Sequence, residues 1–318
     1  MSGDLELLTI GRVSVDLYAG EPGVPLKDAG SFLKSVGGSP TNVAVAAARL
    51  GRRSAVATAV GDDAFGAYVR EALRRFGVDT RFVGTHPTLR TPLAFASPAP
   101  PDDPELLFYR EPEAPDERIR PGDVDPRVAA AVPLLWVSAS CFAFAETGAA
   151  TRALLEARGR REHTVLDLDY RPTFWPDEAT ARHTIGAMVD RATVAVGNRA
   201  ECEIAVGTSD PGAAADALLG RGARVAIVKL GGDGVLVATP EGRALVPPVP
   251  VEVVCGLGAG DAFGGALCHG LLAGWPAEEA VRFANAAGAI VASRLLCADA
   301  MPGEDEVRAL LEEQRVRA

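Results

Sequence analysis

A glycine-rich segment late in this 318-residue chain, Gly256-Leu257-Gly258-Ala259-Gly260-Asp261-Ala262-Phe263, is its most informative stretch. Closely spaced glycines let consecutive backbone N–H groups turn toward one point. An apolar, helix-permissive run continues to residue 272, and the N-terminus of such a helix adds partial positive charge at the same point. The segment therefore predicts a cup for an anion such as phosphate.

Asp261 stands in this cup, where a carboxylate repels a bound phosphate. Its position makes chemical sense if it faces a hydroxyl group that attacks phosphorus, which indicates phosphoryl transfer with Asp261 as the base. The backbone N–H groups of Gly258, Ala259 and Gly260 would then hold the phosphate oxygens as charge develops. The simpler alternative is a glycine-rich turn in which Asp261 caps a helix.

Two other phosphate-binding motifs are absent from the sequence. The dinucleotide pattern G-x-G-x-x-G needs a glycine where the chain has Asp261, and the Walker pattern needs Gly-Lys-Ser/Thr. None of the three lysines (Lys27, Lys34 and Lys229) follows a glycine. The sequence thus argues against a dinucleotide-dependent dehydrogenase and against a P-loop enzyme.

Composition narrows the class of protein further. The net charge of −10 argues against nucleic acid or an anionic membrane surface as a partner. The five cysteines form no C-x-x-C pair and the four histidines lack metal-ligand spacing, so we expect reduced thiols and no structural zinc. Because no apolar run reaches about 18 residues and no signal-type segment is seen, we expect a cytoplasmic protein.

Short apolar segments alternate with helical periods, which is typical of a parallel sheet covered by helices on both faces. Strands are predicted at residues 5–13, 54–60, 134–138, 164–168, 193–196, 225–229 and 234–238. Helices are predicted at 40–50 (with Ser39 as the N-cap), up to residue 76 (with Asp62 or Asp63 as the N-cap), and at 147–158, 178–189, 199–206, 211–219, 260–273, 277–294 and 304–313.

Two β-rich segments, at about 15–36 and 91–115, interrupt this alternation. They predict a small sheet that acts as a lid on a single domain spanning residues 1–318. Lid sheets with exposed edges often pair between subunits, so a homodimer through the lid is expected.

Five motifs follow one another in a fixed order: Gly37-Gly38-Ser39-Pro40-Thr41-Asn42, Gly61-Asp62-Asp63-Ala64-Phe65-Gly66, Asn198-Arg199-Ala200-Glu201, Lys229-Leu230-Gly231-Gly232-Asp233-Gly234 and Gly258-Ala259-Gly260-Asp261. In order and spacing the chain resembles the ribokinase-like (PfkB-type) carbohydrate kinases over nearly its whole length. The resemblance implies a ribokinase-like α/β fold, with a central, mostly parallel sheet flanked by helices and a small β-sheet lid. It also implies ATP and Mg²⁺ as cofactors.

The resemblance implies an ATP site formed by Asn198, Glu201, Lys229, Gly231, Gly234 and Asn285. Asn198 and Glu201 would organise Mg²⁺ through water, the turn at 229–234 would shape the ATP pocket, and Asn285 would lie near the adenine. On spacing alone, an N-cap and its capping-box partner is the simpler interpretation of the first pair, and the resemblance favours the metal role instead. The turn also fits a plain β-turn, which does not conflict with the ATP role. Without the resemblance, Asn285 is more typical of a helix surface.

On the sugar side, the resemblance implies a binding loop and an acid: Asp16, Gly37, Gly38 and Asn42. Arginine binds carboxylate with a two-pronged fork, which makes Arg12, Arg110 and Arg171, with Asp169 beside them, candidates for a sugar acid. Each arginine equally fits a solvated surface residue.

Four further segments, at 11–18, 108–111, 167–175 and 297–302, are similar to the kinases of this family that act on 5-dehydro-2-deoxygluconate. They imply phosphorylation of its terminal C6 hydroxyl, a step of inositol breakdown. The alternatives are 2-keto-3-deoxygluconate, another sugar or a nucleoside, and a sensor without turnover. The chain has Cys255-Gly256-Leu257 where most relatives have a trio such as Asp-Thr-Thr near a monovalent cation, so that cation is left open.

Overall fold

The computed structural model describes residues 5–21, 23–101 and 104–317. In chain order the strands are β1 (Leu7–Ile10), β2 (Ser14–Ala19), β3 (Phe32–Gly37), β4 (Ser54–Gly61), β5 (Val83–His86), β6 (Leu93–Ser97), β7 (Glu105–Tyr109), β8 (Leu134–Ser138), β9 (Thr164–Asp167), β10 (Val194–Asn198), β11 (Val225–Lys229), β12 (Val235–Thr239) and β13 (Gly242–Val246). The helices are α1 (Ser39–Arg49), α2 (Ala64–Arg75), α3 (Pro126–Ala131), α4 (Ala145–Arg158), α5 (Glu178–Val189), α6 (Arg199–Val206), α7 (Pro211–Gly220), α8 (Ala259–Leu272), α9 (Ala277–Ala292) and α10 (Glu304–Arg317).

The described residues form one large sheet and one small sheet. The large sheet has the order β13-β12-β11-β10-β9-β8-β1-β4-β5, and it is parallel except for the two hairpins that join β11, β12 and β13. Apolar side chains cover both faces: α1, α8, α9 and α10 pack on one, and α4 to α7 on the other. The predicted fold class is therefore confirmed. Because the parallel strands of the large sheet run the same way, their carboxyl ends meet at one edge, which is where ligands of such sheets bind.

The small sheet has the order β3-β2-β6-β7, and its strands lie in the two segments predicted for the lid. Pro22, Asp102 and Asp103 of those segments lie outside the described residues. Strand alternation gives this sheet two different faces. One carries residues that line the cleft described below, and the other carries an aromatic cluster in which Phe95 contacts Phe32 and Tyr109. We call the four strands the lid sheet; that they close over a ligand stays a prediction.

Helices α1 and α8 approach each other closely, and glycine makes this contact possible. A Cβ atom on Gly265 would lie 2.3 Å from the Cβ of Ala46, and one on Gly264 would lie 2.7 Å from the Trp136 ring. Neither distance is compatible with a side chain larger than hydrogen. Glycine and alanine thus let the two helices pack nearly backbone to backbone.

Most predicted elements are confirmed, and the differences have local causes. The strand expected at 5–13 is split, because the chain leaves the large sheet at Gly11 (φ +133°) and continues as β2 of the lid sheet. The elements β5, β13 and α3 were not predicted, since they are short or mostly solvent-exposed. No helix in the described part of the chain has both the length and the apolar character needed to span a membrane.

Of the two residues expected to cap α2, Asp62 or Asp63, the cap is Asp63, which accepts a hydrogen bond from the backbone N–H of Gly66. The predicted cap of α1 is wrong by one residue. Its N-cap is Gly38 (φ +95°), and a Cβ there would lie 2.4 Å from the carbonyl oxygen of Arg12. The backbone can pass this carbonyl only where no Cβ is present, and Ser39 becomes the first helical residue.

We expect Gly38→Ala to lower the free energy of unfolding by about 2 to 4 kcal/mol, because it adds left-handed strain and a clash. Gly51→Ala is a matched control: its φ is +82°, but its Cβ would meet no atom within 4 Å. It should lose about 1 kcal/mol. Urea unfolding followed by circular dichroism measures both losses. Equal losses would show that the contact with the Arg12 carbonyl is unimportant.

Candidate active site

A cleft of about 530 Å³ lies at the carboxyl edge of the large sheet and is covered by the lid sheet. Most of the predicted site residues line it: Arg12, Asp16, Gly38, Asn42, Asp169, Arg171, Asn198, Glu201, Lys229, Gly258, Gly260 and Asp261. The lid sheet contributes apolar groups from Ala94, Leu106 and Phe108. The fold therefore brings the predicted phosphate cup and the predicted sugar-binding residues into one cavity.

The glycine cup is the N-terminus of α8. Gly258 is the N-cap with a φ of +80°, and a Cβ there would lie 2.5 Å from the sulfur of Cys297. The first backbone N–H groups of a helix have no partner within it, so those after Gly258 are available to an anion. The loop before the cup is fixed to the loop between β6 and β7 of the lid sheet, because Gly256 donates a 2.8 Å hydrogen bond to the carbonyl of Pro101.

Asp261 lies in the first turn of α8 and is held by α1. The side-chain amide of Asn42 donates a 2.8 Å hydrogen bond to its Oδ2, and the Ser39 side chain is a further hydrogen-bond partner. Burial raises the pKa of Asp261 above its usual value, although these two hydrogen bonds oppose the change. The result is an oriented carboxylate with a stronger affinity for a proton than an ordinary aspartate has.

A buried ion pair lies among the residues that are predicted to bind the sugar. Arg12 donates a 2.7 Å bond to Asp169 and a 3.2 Å bond to the hydroxyl of Ser140, which itself donates to Asp169. Burial alone would raise the pKa of Asp169, but Arg12 and Arg171 outweigh it and lower that pKa. Arg171 is 3.2 Å from Asp169 with its side chain 49% exposed, so it keeps donors free for a ligand while Arg12 is buried in the protein.

Asp16 reaches the cleft from β2 of the lid sheet. It accepts a 2.6 Å hydrogen bond from the Ser14 hydroxyl, and burial raises its pKa to about 6. Gly37 lies beside it on β3, where a Cβ would be 2.0 Å from both carboxylate oxygens. Gly37 therefore makes room for Asp16 and is not itself among the described residues that line the cleft.

Asn198 and Glu201 form a capping box at the start of α6. The N–H of Asn198 donates to the Glu201 carboxylate (2.7 Å), and the N–H of Glu201 donates to the Asn198 side chain (2.9 Å). The simpler interpretation of their spacing is thus present in the structure. Both residues also line the cleft, so capping does not exclude the predicted role in organising Mg²⁺, which stays a prediction.

Five other predicted residues are not among the described residues lining the cleft: Ala259, Gly231, Gly234, Asn285 and Arg110. Ala259 is the first residue of α8, and the two glycines form the turn after β11. Asn285 donates a 2.8 Å hydrogen bond to the carbonyl of Pro247. Their roles stay predictions.

Arg110 follows β7 and forms ion pairs with Asp116 and Glu117. Its guanidinium group also faces the rings of Phe144 and Phe174. In this conformation Arg110 contacts protein carboxylates, and its binding to a sugar carboxylate stays a prediction.

Two features of the cleft were not predicted from the sequence. Asp167 ends β9 and is 7% exposed; burial raises its pKa and the charge of Lys229 opposes that effect. Its place two residues before Asp169, at the end of an apolar strand, is the signal that would have identified it. Tyr18 donates a 2.7 Å hydrogen bond from its hydroxyl to the sulfur of Cys297, which joins the lid sheet to the side chain behind Gly258. No sequence pattern indicates this contact.

Comparison with known proteins identifies the family. The family described as pfkB family carbohydrate kinase matches residues 4–303. The chain belongs to this family. The predicted carbohydrate-kinase activity and ribokinase-like fold are confirmed by this match and by the relatives below.

A 5-dehydro-2-deoxygluconokinase of Photobacterium profundum is 35% identical over 310 residues, covering 95% of this chain and 93% of that protein. One of Shouchella clausii is 31% identical over 318 residues, covering 98% and 97%. The solved structure of a fructokinase with bound ATP from Xylella fastidiosa has a TM-score of 0.84 at 26% identity, covering 98% of this chain and 99% of that one.

We expect Asp16→Asn to stabilise the protein at pH 7 by roughly 1 to 3 kcal/mol. The folded-state pKa of about 6 lies above the ordinary value of 3.8, so the Asp16 contribution to stability falls as pH rises from about 4 to 6. Asparagine lacks the charge and avoids this loss. Thermal unfolding at pH 4.5 and 7 measures it, with the exposed Asp28→Asn as control. The same gain at both pH values would contradict the assignment.

Proposed function

We propose that this chain transfers the γ-phosphoryl group of ATP to the C6 hydroxyl of a sugar acid, 5-dehydro-2-deoxy-D-gluconate, in the breakdown of myo-inositol. The observation that carries the proposal is the placement of Asp261 and Arg171 in one cleft. Such a substrate needs a base for its hydroxyl and a cation for its carboxylate. The names of the two relatives above support the choice of sugar acid.

In the proposed reaction, the C6 oxygen forms a bond to the γ-phosphorus and its proton passes to Asp261. The bond between the γ-phosphorus and the bridging oxygen breaks, and ADP leaves with the electron pair. Asn42 already holds the Asp261 carboxylate through its 2.8 Å hydrogen bond, so the base is oriented before the substrate arrives. The N–H groups at the start of α8 stabilise the charge on the phosphoryl oxygens.

The residues present fit ATP with Mg²⁺. Among residues 5–21, 23–101 and 104–317, no group of three or more histidine, cysteine and acidic side chains is arranged to hold a metal ion by itself. Mg²⁺ in kinases is held by one or two carboxylates, by water and by the phosphates, so Asn198 and Glu201 suffice to position it through water. When bound, it neutralises charge on the phosphates. A monovalent cation near Cys255-Gly256-Leu257 stays a prediction.

We also propose that the lid sheet closes over the sugar and pairs with that of a second copy. Its inner face carries Leu106 and Phe108, which would exclude water from the reacting groups. Its outer face exposes Phe32, Leu107 and Tyr109, which are 39%, 47% and 57% exposed. An apolar patch of this kind is typical of a protein–protein interface.

Purified protein with Mg·ATP should release ADP with 5-dehydro-2-deoxygluconate, and Asp261→Asn should lose at least about 10²-fold in kcat, because the base is removed. A coupled assay for ADP measures both, with 2-keto-3-deoxygluconate, a ketose and a nucleoside run in parallel. Turnover of only one of these three compounds would change the substrate assignment and leave the proposed mechanism unchanged. ATP binding without turnover of any would support the sensor instead.

We expect Arg171→Met to raise KM for the sugar acid about 10- to 100-fold, as expected for loss of a charge-assisted hydrogen bond, with KM for ATP nearly unchanged. The matched control is Arg224→Met, which removes an exposed arginine just before the amino end of β11, whereas the cleft lies at the carboxyl ends of the strands. Steady-state kinetics with each substrate varied measures the effect. An unchanged KM for the sugar acid would exclude Arg171 as its carboxylate ligand.

A further inference from the structure

The side chain of Lys229 extends from the end of β11 to the glycine cup. Its Nζ atom lies 3.7 Å from the position that a Cβ on Gly260 would occupy. The side chain is 25% exposed and lines the cleft. A positive charge therefore lies beside the backbone that opens α8, one residue before Asp261.

The ammonium group of Lys229 retains its hydrogen-bonding capacity. It has three N–H donors, and among the described residues it makes no hydrogen bond; its one ion pair is with Glu201, at 4.0 Å. The other cations of the cleft differ, because Arg12 and Arg171 both donate to Asp169. A mostly buried cation with unused donors beside an anion cup indicates an anionic ligand.

The register of the strands indicates a second role for Lys229, the neutralisation of nearby carboxylates. A test must distinguish this role from the binding of an anionic ligand. Asp167 is paired with Val196 of β10, and Asn198 of the same strand is paired with Lys229. Asp167 and Lys229 thus lie on the same sheet face, two strands apart and beneath α8. Lys229 could serve only to neutralise Asp167 and Glu201, two carboxylates that would otherwise lie close together without a cation.

We propose that Lys229 is a catalytic residue whose ammonium group binds the phosphoryl group while it is transferred. The inference rests on the proposed function, and it gives the side chain of Lys229, so far placed only in the turn of the ATP site, a role in the transfer itself. In such transfers the charge is spread over three phosphoryl oxygens, and catalysis consists of positioning and charge stabilisation. The cup supplies N–H groups from α8, and Lys229 supplies a full charge from β11. Lys229 keeps its proton throughout, since the proton of the hydroxyl passes to Asp261.

Binding without sugar gives the first test. Calorimetry with Mg²⁺ compares ADP with the non-hydrolysable β,γ-imido analogue of ATP. Lys229→Met should weaken the analogue about 10-fold or more and ADP less than 3-fold, because only the analogue carries the γ-phosphoryl group. Lys27→Met is the matched control, since that lysine is 79% exposed in the lid region. Equal losses for the two nucleotides would overturn the proposal.

Kinetics with a double variant separates catalysis from charge balance. We expect Lys229→Met to lower kcat about 10²- to 10³-fold and Lys229→Arg to restore part of the loss. Asp167→Asn combined with Lys229→Met removes both charges. If Lys229 only neutralises Asp167, the double variant recovers the kcat of Asp167→Asn alone, which would overturn the proposal. If Lys229 binds the phosphoryl group, the double variant stays as slow as Lys229→Met.

Thermal unfolding of each variant shows that the comparison is made on folded protein. Should Lys229→Met fail to fold, the charge-balanced double variant takes its place in the calorimetry, against Asp167→Asn alone. Failure of the proposed substrate is distinguishable, because the calorimetric comparison requires no sugar. Even if the protein turns over no sugar acid, calorimetry would still show whether Lys229 discriminates between ADP and the ATP analogue.

Discussion

The close contact between α1 and α8 is the constraint on which the rest of the site depends. Gly265 and Ala46 let the two helices meet without intervening side chains. That approach brings Asn42 of α1 to hydrogen-bonding distance of Asp261 on α8, although 219 positions separate them in the sequence. It also fixes the N-terminus of α8 over the carboxyl ends of the central strands. A wider separation would leave the base unheld and move the cup away from Lys229.

Charge balance is the second condition for this cleft. Asp16, Asp167, Asp169, Glu201 and Asp261 line it together with three cations, Arg12, Arg171 and Lys229. Removing a carboxylate from water is costly unless a cation or hydrogen-bond donors replace the water. Asp169 has two arginines and a hydroxyl, whereas burial raises the pKa of Asp16, Asp167 and Asp261. Asp16 and Asp261, two of the predicted site residues, are thus less well neutralised than Asp169. Carboxylates with raised pKa values are a usual feature of active sites.

The sequence was sufficient to predict the fold because its strongest patterns are local. Four elements have the bounds that were predicted, since each is a short buried apolar run or a clear helical period. They are the strands at 134–138 and 225–229 and the helices at 178–189 and 199–206. The strands β5 and β13 lack that pattern, because they are held by their neighbours at the sheet edges rather than by burial.

In the site, motifs predicted the cup and the sugar side, but not which partner each charged group has. Arg110 and Arg171 look alike in sequence, yet one contacts acids six and seven positions along the chain and the other remains open to the cleft. Asp167 and Asp169 also look alike, and only the sheet register and the buried ion pair distinguish them. Such differences arise from contacts between distant segments, which a local pattern does not contain.

Two hydrogen bonds described above connect the lid sheet and its β6–β7 loop to the cup. Gly256 donates to Pro101 of that loop, and Tyr18 of β2 donates to Cys297, whose sulfur lies behind Gly258. A lid sheet joined to the rest of the protein only by its connecting loops could move without disturbing the anion site. A lid sheet that is hydrogen-bonded to the residues of that site cannot. Opening of the lid sheet would displace the residues that form the anion site. In the open enzyme the backbone N–H groups of this site would therefore be poorly placed to bind phosphate. If the lid sheet opens and closes as proposed above, the geometry needed for transfer would exist only in the closed position, and water would meet an incompletely activated nucleotide in the open one.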